Sequence, residues 1–126
     1  MFPLIAVVDD DASIRMALQR LLTSYGVDVR TFASGQEFIA SVATHRPDCL
    51  ILDMDMPGMT GADVQQALAE SGTRMPIIII TGHDAPHTEA RCRAAGAAAY
   101  LRKPIEETAL LDTIAGCVGS RPLGRR

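Results

Sequence analysis

The apolar positions of this chain fall into two kinds of run that take turns. Short unbroken runs stand at 4–8 ("LIAVV"), 49–52 ("CLIL"), 75–80 ("MPIIII") and 97–101 ("AAAYL"). Runs of that length, closed by turn residues, predict buried strands. "VDVRTF" at 27–32 alternates apolar with polar residues, as a strand with one open face does. Between the strands the period changes. Ile14, Ala17, Leu18, Leu21 and Leu22 recur at helical spacing and predict a helix from about Ala12 to Tyr25, stopped by Gly26. Ser34 and Glu37 have capping-box spacing ahead of Phe38, Ile39 and Val42. "GADVQQALAE" at 61–70 predicts a third helix ended by Gly72, and Pro86 suits the first turn of a fourth that runs to Gly96. "EETALLDTIAGCV" at 106–118 puts Leu110, Leu111, Ile114, Ala115 and Val118 on the stripe of a fifth. Strands and helices alternate with short connections. That predicts right-handed crossovers and a parallel α/β sheet covered on both faces, with "IIII" central.

The polar residues that close these strands are the next signal. The first strand ends in Asp9 and Asp10, the third in Asp53, the fourth in Thr81, and the fifth is followed by Lys103 and Pro104. In open α/β sheets, ligands bind outside the carboxyl ends of the strands, where the strand order reverses. These residues are therefore expected to share one pocket despite their distance in sequence. Asp11 reads as the cap of the first helix. Asp53 alone could be a solvated loop charge, a metal ligand or a nucleophile.

Charge narrows those options. Three carboxylates in one pocket repel each other and would be driven to take up protons unless a cation joins them. The ligands at these strand ends are oxygens only, which favours Mg²⁺ over Zn²⁺. A carboxylate nucleophile, a cation, the Lys103 ammonium and the Thr81 hydroxyl together suit phosphoryl transfer to Asp53, giving an acyl phosphate. His83, His87 and Cys92 fit no standard zinc spacing.

The totals exclude other classes. At 126 residues the chain has the size of one domain, and 48% hydrophobic residues suffice for its core. A formal net charge of -3 argues against a broad nucleic-acid footprint for this domain. No apolar run approaches the roughly 18–20 residues that span a membrane, and the N-terminus lacks the pattern of a signal peptide. Cys49, Cys92 and Cys117 read as buried, reduced thiols of a cytoplasmic protein. The segment 119–126 ("GSRPLGRR") carries three arginines and reads as a disordered tail or the start of a basic linker.

Taken together, "VVDDD", "LILDMDMPGMTG", "IIIITGH" and "AYLRKP" resemble the receiver domain of a two-component response regulator, over nearly the whole chain. "ITGHD" and "TFASGQEFI" look closest to FixJ-type receivers, which usually continue into a DNA-binding domain. The resemblance implies a receiver domain over 1–118 with the flavodoxin-like doubly wound (βα)5 fold and a five-stranded sheet of order 2-1-3-4-5. It implies that Asp53 is the phosphoacceptor for a sensor histidine kinase or phosphotransfer protein. Asp9, Asp10, Asp53 and the backbone carbonyl of Asp55 would hold Mg²⁺. Thr81 and Lys103 would contact the phosphoryl group, and the Lys103–Pro104 bond would be cis. Thr81 and Tyr100 would form a switch, with Gly82 leaving Tyr100 room to swing inward. Asp55 and His83 would modulate the lifetime of the acyl phosphate. The output would be a surface of the fourth helix, fifth strand and fifth helix, through which a homodimer could also form.

Two rivals share fragments of this pattern. "LILDMDM" also fits the Asp-x-Asp strand of haloacid dehalogenase-type phosphatases, but here it lies on the third strand and the chain is short for a cap. A degenerate receiver would keep the fold as a binding module without the chemistry, and the full set Asp9, Asp10, Asp53, Thr81 and Lys103 speaks against it.

Overall fold

The computed structural model describes residues 3–82 and 88–119. The elements follow in strict alternation: β1 (Leu4–Val8), α1 (Ala12–Ser24), β2 (Asp28–Phe32), α2 (Gly35–Val42), β3 (Cys49–Asp53), α3 (Gly61–Ser71), β4 (Ile77–Thr81), α4 (Thr88–Ala94), β5 (Ala99–Arg102) and α5 (Glu107–Val118). The strands form one parallel sheet in the order β2-β1-β3-β4-β5. This is the doubly wound order that the sequence led us to expect. Every residue of β3 and β4 is buried, so these are central strands with no solvent face.

Side-chain parity divides the core in two. Ala6, Val8, Leu50, Leu52, Ile77, Ile79 and Tyr100 join Phe38 of α2, Val64 and Leu68 of α3 and Cys92 of α4. Ile5, Val7, Cys49, Ile51, Ile78 and Ile80 join Leu18 and Leu22 of α1 and Leu110 and Ile114 of α5. Successive strand residues point to opposite faces, so one face carries α2, α3 and α4 and the other α1 and α5.

The helix ends follow from local chemistry. Asp11 caps α1, its Oδ1 accepting from Ser13 N at 2.9 Å. At α3, Thr60 and Asp63 exchange both hydrogen bonds of a capping box, and Gly72 ends the helix at φ 71, a conformation that suits glycine. The box expected at Ser34 is only half formed. Ser34 Oγ accepts from Glu37 N at 3.2 Å, while the Glu37 carboxylate accepts from Ser34 Oγ at 3.1 Å instead of from the backbone.

Two strands start later than their apolar runs. Pro76 gives its carbonyl to Leu50 N but has no N–H, and β4 begins at Ile77. Ala97 N is held by Cys92 O in the turn that ends α4, so β5 begins at Ala99. Cys49 and Cys92 are buried as expected, whereas Cys117 is half-buried. Among the described residues no helix is long and apolar enough to cross a membrane. His83, Pro86 and His87, and the tail beyond Gly119, lie outside the described residues.

Candidate functional site

Register sets the site. Val8 pairs with Leu52 and Asp53 with Ile80, so β1, β3 and β4 end at nearly one level and their terminal side chains meet there. Asp9, Asp53 and Thr81 are buried in that rim. By the parity of the strands, Asp9, Asp53 and Lys103 project toward the α1/α5 face, while Thr81 and Tyr100 belong to the α3/α4 face.

The acidic side is held by backbone. Asp11 N donates to Asp9 Oδ1 at 2.9 Å, and Asp55 N donates to Asp53 Oδ1 at 3.2 Å. Each carboxylate thus accepts the N–H two residues on, the local bond that aspartate makes in turns. Arg15 Nη1 donates to the backbone carbonyl of Asp9 at 2.8 Å and ties the end of β1 to α1. Lys103 Nζ lies 3.1 Å from Asp9 Oδ2 and 3.4 Å from Asp53 Oδ1. The Lys103–Pro104 peptide bond is cis.

Electrostatics in this corner are unbalanced. Burial pushes the Asp53 carboxyl up to about 6, helped by the charge of Asp9 and opposed by the Asp55 N–H and the Lys103 ammonium. Burial alone would lower Lys103, but its contacts with Asp9 and Asp53 outweigh that and hold it above its ordinary value. Asp9, Asp10 and Asp53 each bring a carboxylate oxygen within 4.8 Å of the others. One ammonium cannot neutralise three carboxylates. Asp9 Oδ2 is buried, and its ion-pair partner among the described residues is the Lys103 ammonium. An all-oxygen set with surplus negative charge fits a hard divalent cation, and these residues could hold one.

The neutral side is arranged differently. Thr81 Oγ1 donates to Asp55 Oδ2 at 2.7 Å. The hydroxyl is thus given to the loop after β3 and not to Asp53. Tyr100 is buried in the α3/α4 cluster. A Cβ built on Gly82 would meet Lys103 Cδ at 4.0 Å and no atom of Tyr100 within that distance. The space at Gly82 is thus nearly open among the described residues.

The sequence left two supports unnoticed. One is Arg15. The other is Gly61, the first residue of α3. A Cβ there would sit 2.8 Å from both Asp53 O and Met54 Cα, while Gly61 N donates to Met54 O at 3.2 Å. Only a residue without a side chain lets α3 start directly beneath the backbone of Asp53. A glycine following a Pro-Gly turn looks like loop punctuation in sequence, and the close approach that requires it exists only in three dimensions.

Comparison with known proteins agrees with this geometry. The family model for the response regulator receiver domain matches residues 5–115. The chain belongs to that family. This receiver is 42% identical over 110 residues to the response regulator protein TmoT of Ectopseudomonas mendocina, covering 87% of this chain and 50% of that protein. A response regulator receiver protein from Burkholderia phymatum superposes with a TM-score of 0.85 at 43% identity, covering 95% of this chain and 98% of that one. FixJ-N superposes with a TM-score of 0.83 at 30% identity, covering 90% of this receiver and 91% of that chain. The receiver spans about half the length of the curated relatives it matches. Membership in this family sets aside the haloacid dehalogenase reading.

Proposed function

We propose that this receiver takes a phosphoryl group onto Asp53 from a phosphohistidine of a sensor kinase or phosphotransfer protein. One observation carries the reading: a buried carboxylate at a strand end, 3.4 Å from Lys103 and grouped with Asp9 and Asp10. Asp53 has one oxygen steadied by the Asp55 N–H, which leaves the other to attack phosphorus. The bond from phosphorus to the donor nitrogen breaks as the new bond to Asp53 forms. Lys103 is placed to pair with a phosphoryl oxygen, and Thr81 can offer its hydroxyl to another. Mg²⁺, held by Asp9, Asp10, Asp53 and the backbone carbonyl of Asp55, would supply the charge neutralisation that crowded anions need. Thr81 and Tyr100 form the switch, Asp55 and His83 set the lifetime of the acyl phosphate, and α4, β5 and α5 form the output surface, where a second copy of the chain could also pair. The domain runs over 1–118, acts in the cytoplasm and catalyses only its own phosphorylation and dephosphorylation.

The donor has a place to dock. An apolar groove of about 680 Å³ lies between α1 and α5, lined by Ile14, Leu18, Leu21 and Ile105, and Lys103 forms part of its wall. A helix face of this kind beside the phosphoacceptor suits a protein donor better than a small phosphate ester.

Intact-protein mass measurement after acetyl phosphate treatment tests the chemistry. One phosphoryl group is expected with Mg²⁺ and none with a chelator or in Asp53→Asn. No gain in mass with Mg²⁺ would leave a binding module without chemistry. Repeated turnover without a retained phosphoryl group would also sink the proposal.

A further inference from the structure

Asp55 touches both sides of the site. Its N–H donates to Asp53 Oδ1 at 3.2 Å, and its carboxylate accepts the Thr81 hydroxyl at 2.7 Å. The residue that steadies the phosphoacceptor through its backbone thus restrains the switch residue through its side chain. Thr81 is 1% exposed, so its hydroxyl cannot be turned freely out to solvent. Its hydrogen bond is charge-assisted, the stronger kind. Thr81 also stands on the opposite face of the sheet from Asp53, one residue beyond the register partner Ile80. A phosphoryl group on Asp53 and the Asp55 carboxylate therefore compete for one hydroxyl.

From this geometry we infer that Asp55 is a positioning residue that latches Thr81 in the unphosphorylated state and so sets the threshold for switching. This rests on the phosphoryl-acceptor reading of Asp53. Binding energy from the phosphoryl group must first release Thr81 from Asp55. A ligand shifts a two-state element only by its difference in affinity for the two states, so the latch lowers the apparent affinity of the site for a phosphoryl group. Removing the carboxylate is expected to raise it. The negative charge of Asp55 also repels a phosphoryl group directly, and that contribution does not pass through Thr81. A double-mutant cycle separates the two.

The probe is beryllofluoride with saturating Mg²⁺, a stable mimic of the phosphoryl group. Its binding is followed by NMR of the Thr81 methyl group, or of backbone amides in variants that lack Thr81. Asp55→Ala is expected to tighten binding about tenfold, the equivalent of a charge-assisted hydrogen bond. Asp55→Asn keeps the shape and offers a neutral acceptor, so it should tighten binding by less. In a Thr81→Ala background the gain from Asp55→Ala should shrink by about threefold or more. In the ligand-free protein, Asp55→Ala should also move the Thr81 methyl signal toward its position in the beryllofluoride complex. An unchanged or weakened affinity in Asp55→Ala overturns the latch. So does an equal gain in both backgrounds, which would leave charge repulsion alone. Folded wild-type protein that fails to bind beryllofluoride overturns the phosphoryl reading and the latch together, and is thereby told apart from a failure of the latch alone.

Discussion

The two faces of the sheet rim make an instructive contrast. On the α1/α5 face, Asp9 and Asp53 are buried carboxylates, each accepting the backbone N–H two residues on, and Lys103 lies within 3.4 Å of both. On the α3/α4 face, Thr81 is neutral and engages an exposed loop residue through its hydroxyl. Beside it, α4 buries only Cys92 among its seven described residues, while α3 buries Gly61, Val64, Gln65 and Leu68. Chemistry demands groups that are already in position when substrate arrives. A response demands a part with little burial to lose when it moves. Strand parity separates the charged side chains from the Thr81 hydroxyl, and within the face that carries Thr81 the lightly buried helix is α4.

The contrast can be broken most severely at Gly61. Gly61→Val would drive side-chain atoms into Asp53 O and Met54 Cα, backbone that cannot yield without moving the acidic corner. A loss of about 3 kcal/mol or more in urea unfolding is expected, at the upper end for overpacking. Any folded fraction should also accept phosphate slowly.

A smaller effect sharpens the contrast through charge. Folded Asp53 titrates near 6, above its ordinary value of 3.8, chiefly because of burial. As pH rises, the unfolded chain releases this proton first. Wild-type stability should therefore fall between about pH 4 and 6 and stay lower above that window. In metal-free buffer, Asp53→Asn should be more stable than wild type by about 2 kcal/mol at pH 8 and near parity at pH 4. Thermal or urea unfolding at both pH values measures this. A variant destabilised at pH 8 would contradict the unbalanced corner.

The smallest effect belongs to the α4 side. Arg93 pairs with Glu89 at 3.0 Å, with both side chains half exposed. Arg93→Ala should change unfolding stability by no more than about 0.5 kcal/mol. Backbone amides of α4 should exchange with solvent faster than those of α3, which has its capping box and four buried residues. Equal protection of the two helices would show that their difference in burial does not set their mobility.

The same division explains what could be read from sequence. The strand ends Asp9, Asp10, Asp53, Thr81 and Lys103 were legible because strand period and turn residues fix where each side chain emerges. That these groups would meet followed from their shared place at the carboxyl ends of parallel strands. The bond from Thr81 to Asp55 was hidden, because it depends on how the Asp55 side chain leaves a loop, and no period governs that. Arg15 went unnoticed, since nothing in the spacing from Asp9 announces a side chain reaching back to a carbonyl. Strand starts were misjudged at Met75 and Ala97 because hydrogen-bonding capacity, and not hydrophobicity, decides where a ladder begins.

The division of side chains by odd and even has a consequence for how such a domain can change over generations. One residue inserted within β3 or deleted from it would turn Asp53 away from Asp9 and Lys103 and reverse the packing of every residue beyond it. Loops can gain or lose single residues freely by comparison. Length variation among descendants of this chain should therefore accumulate in the connections, while the strand segments tolerate exchange of one side chain for another but not a change in count.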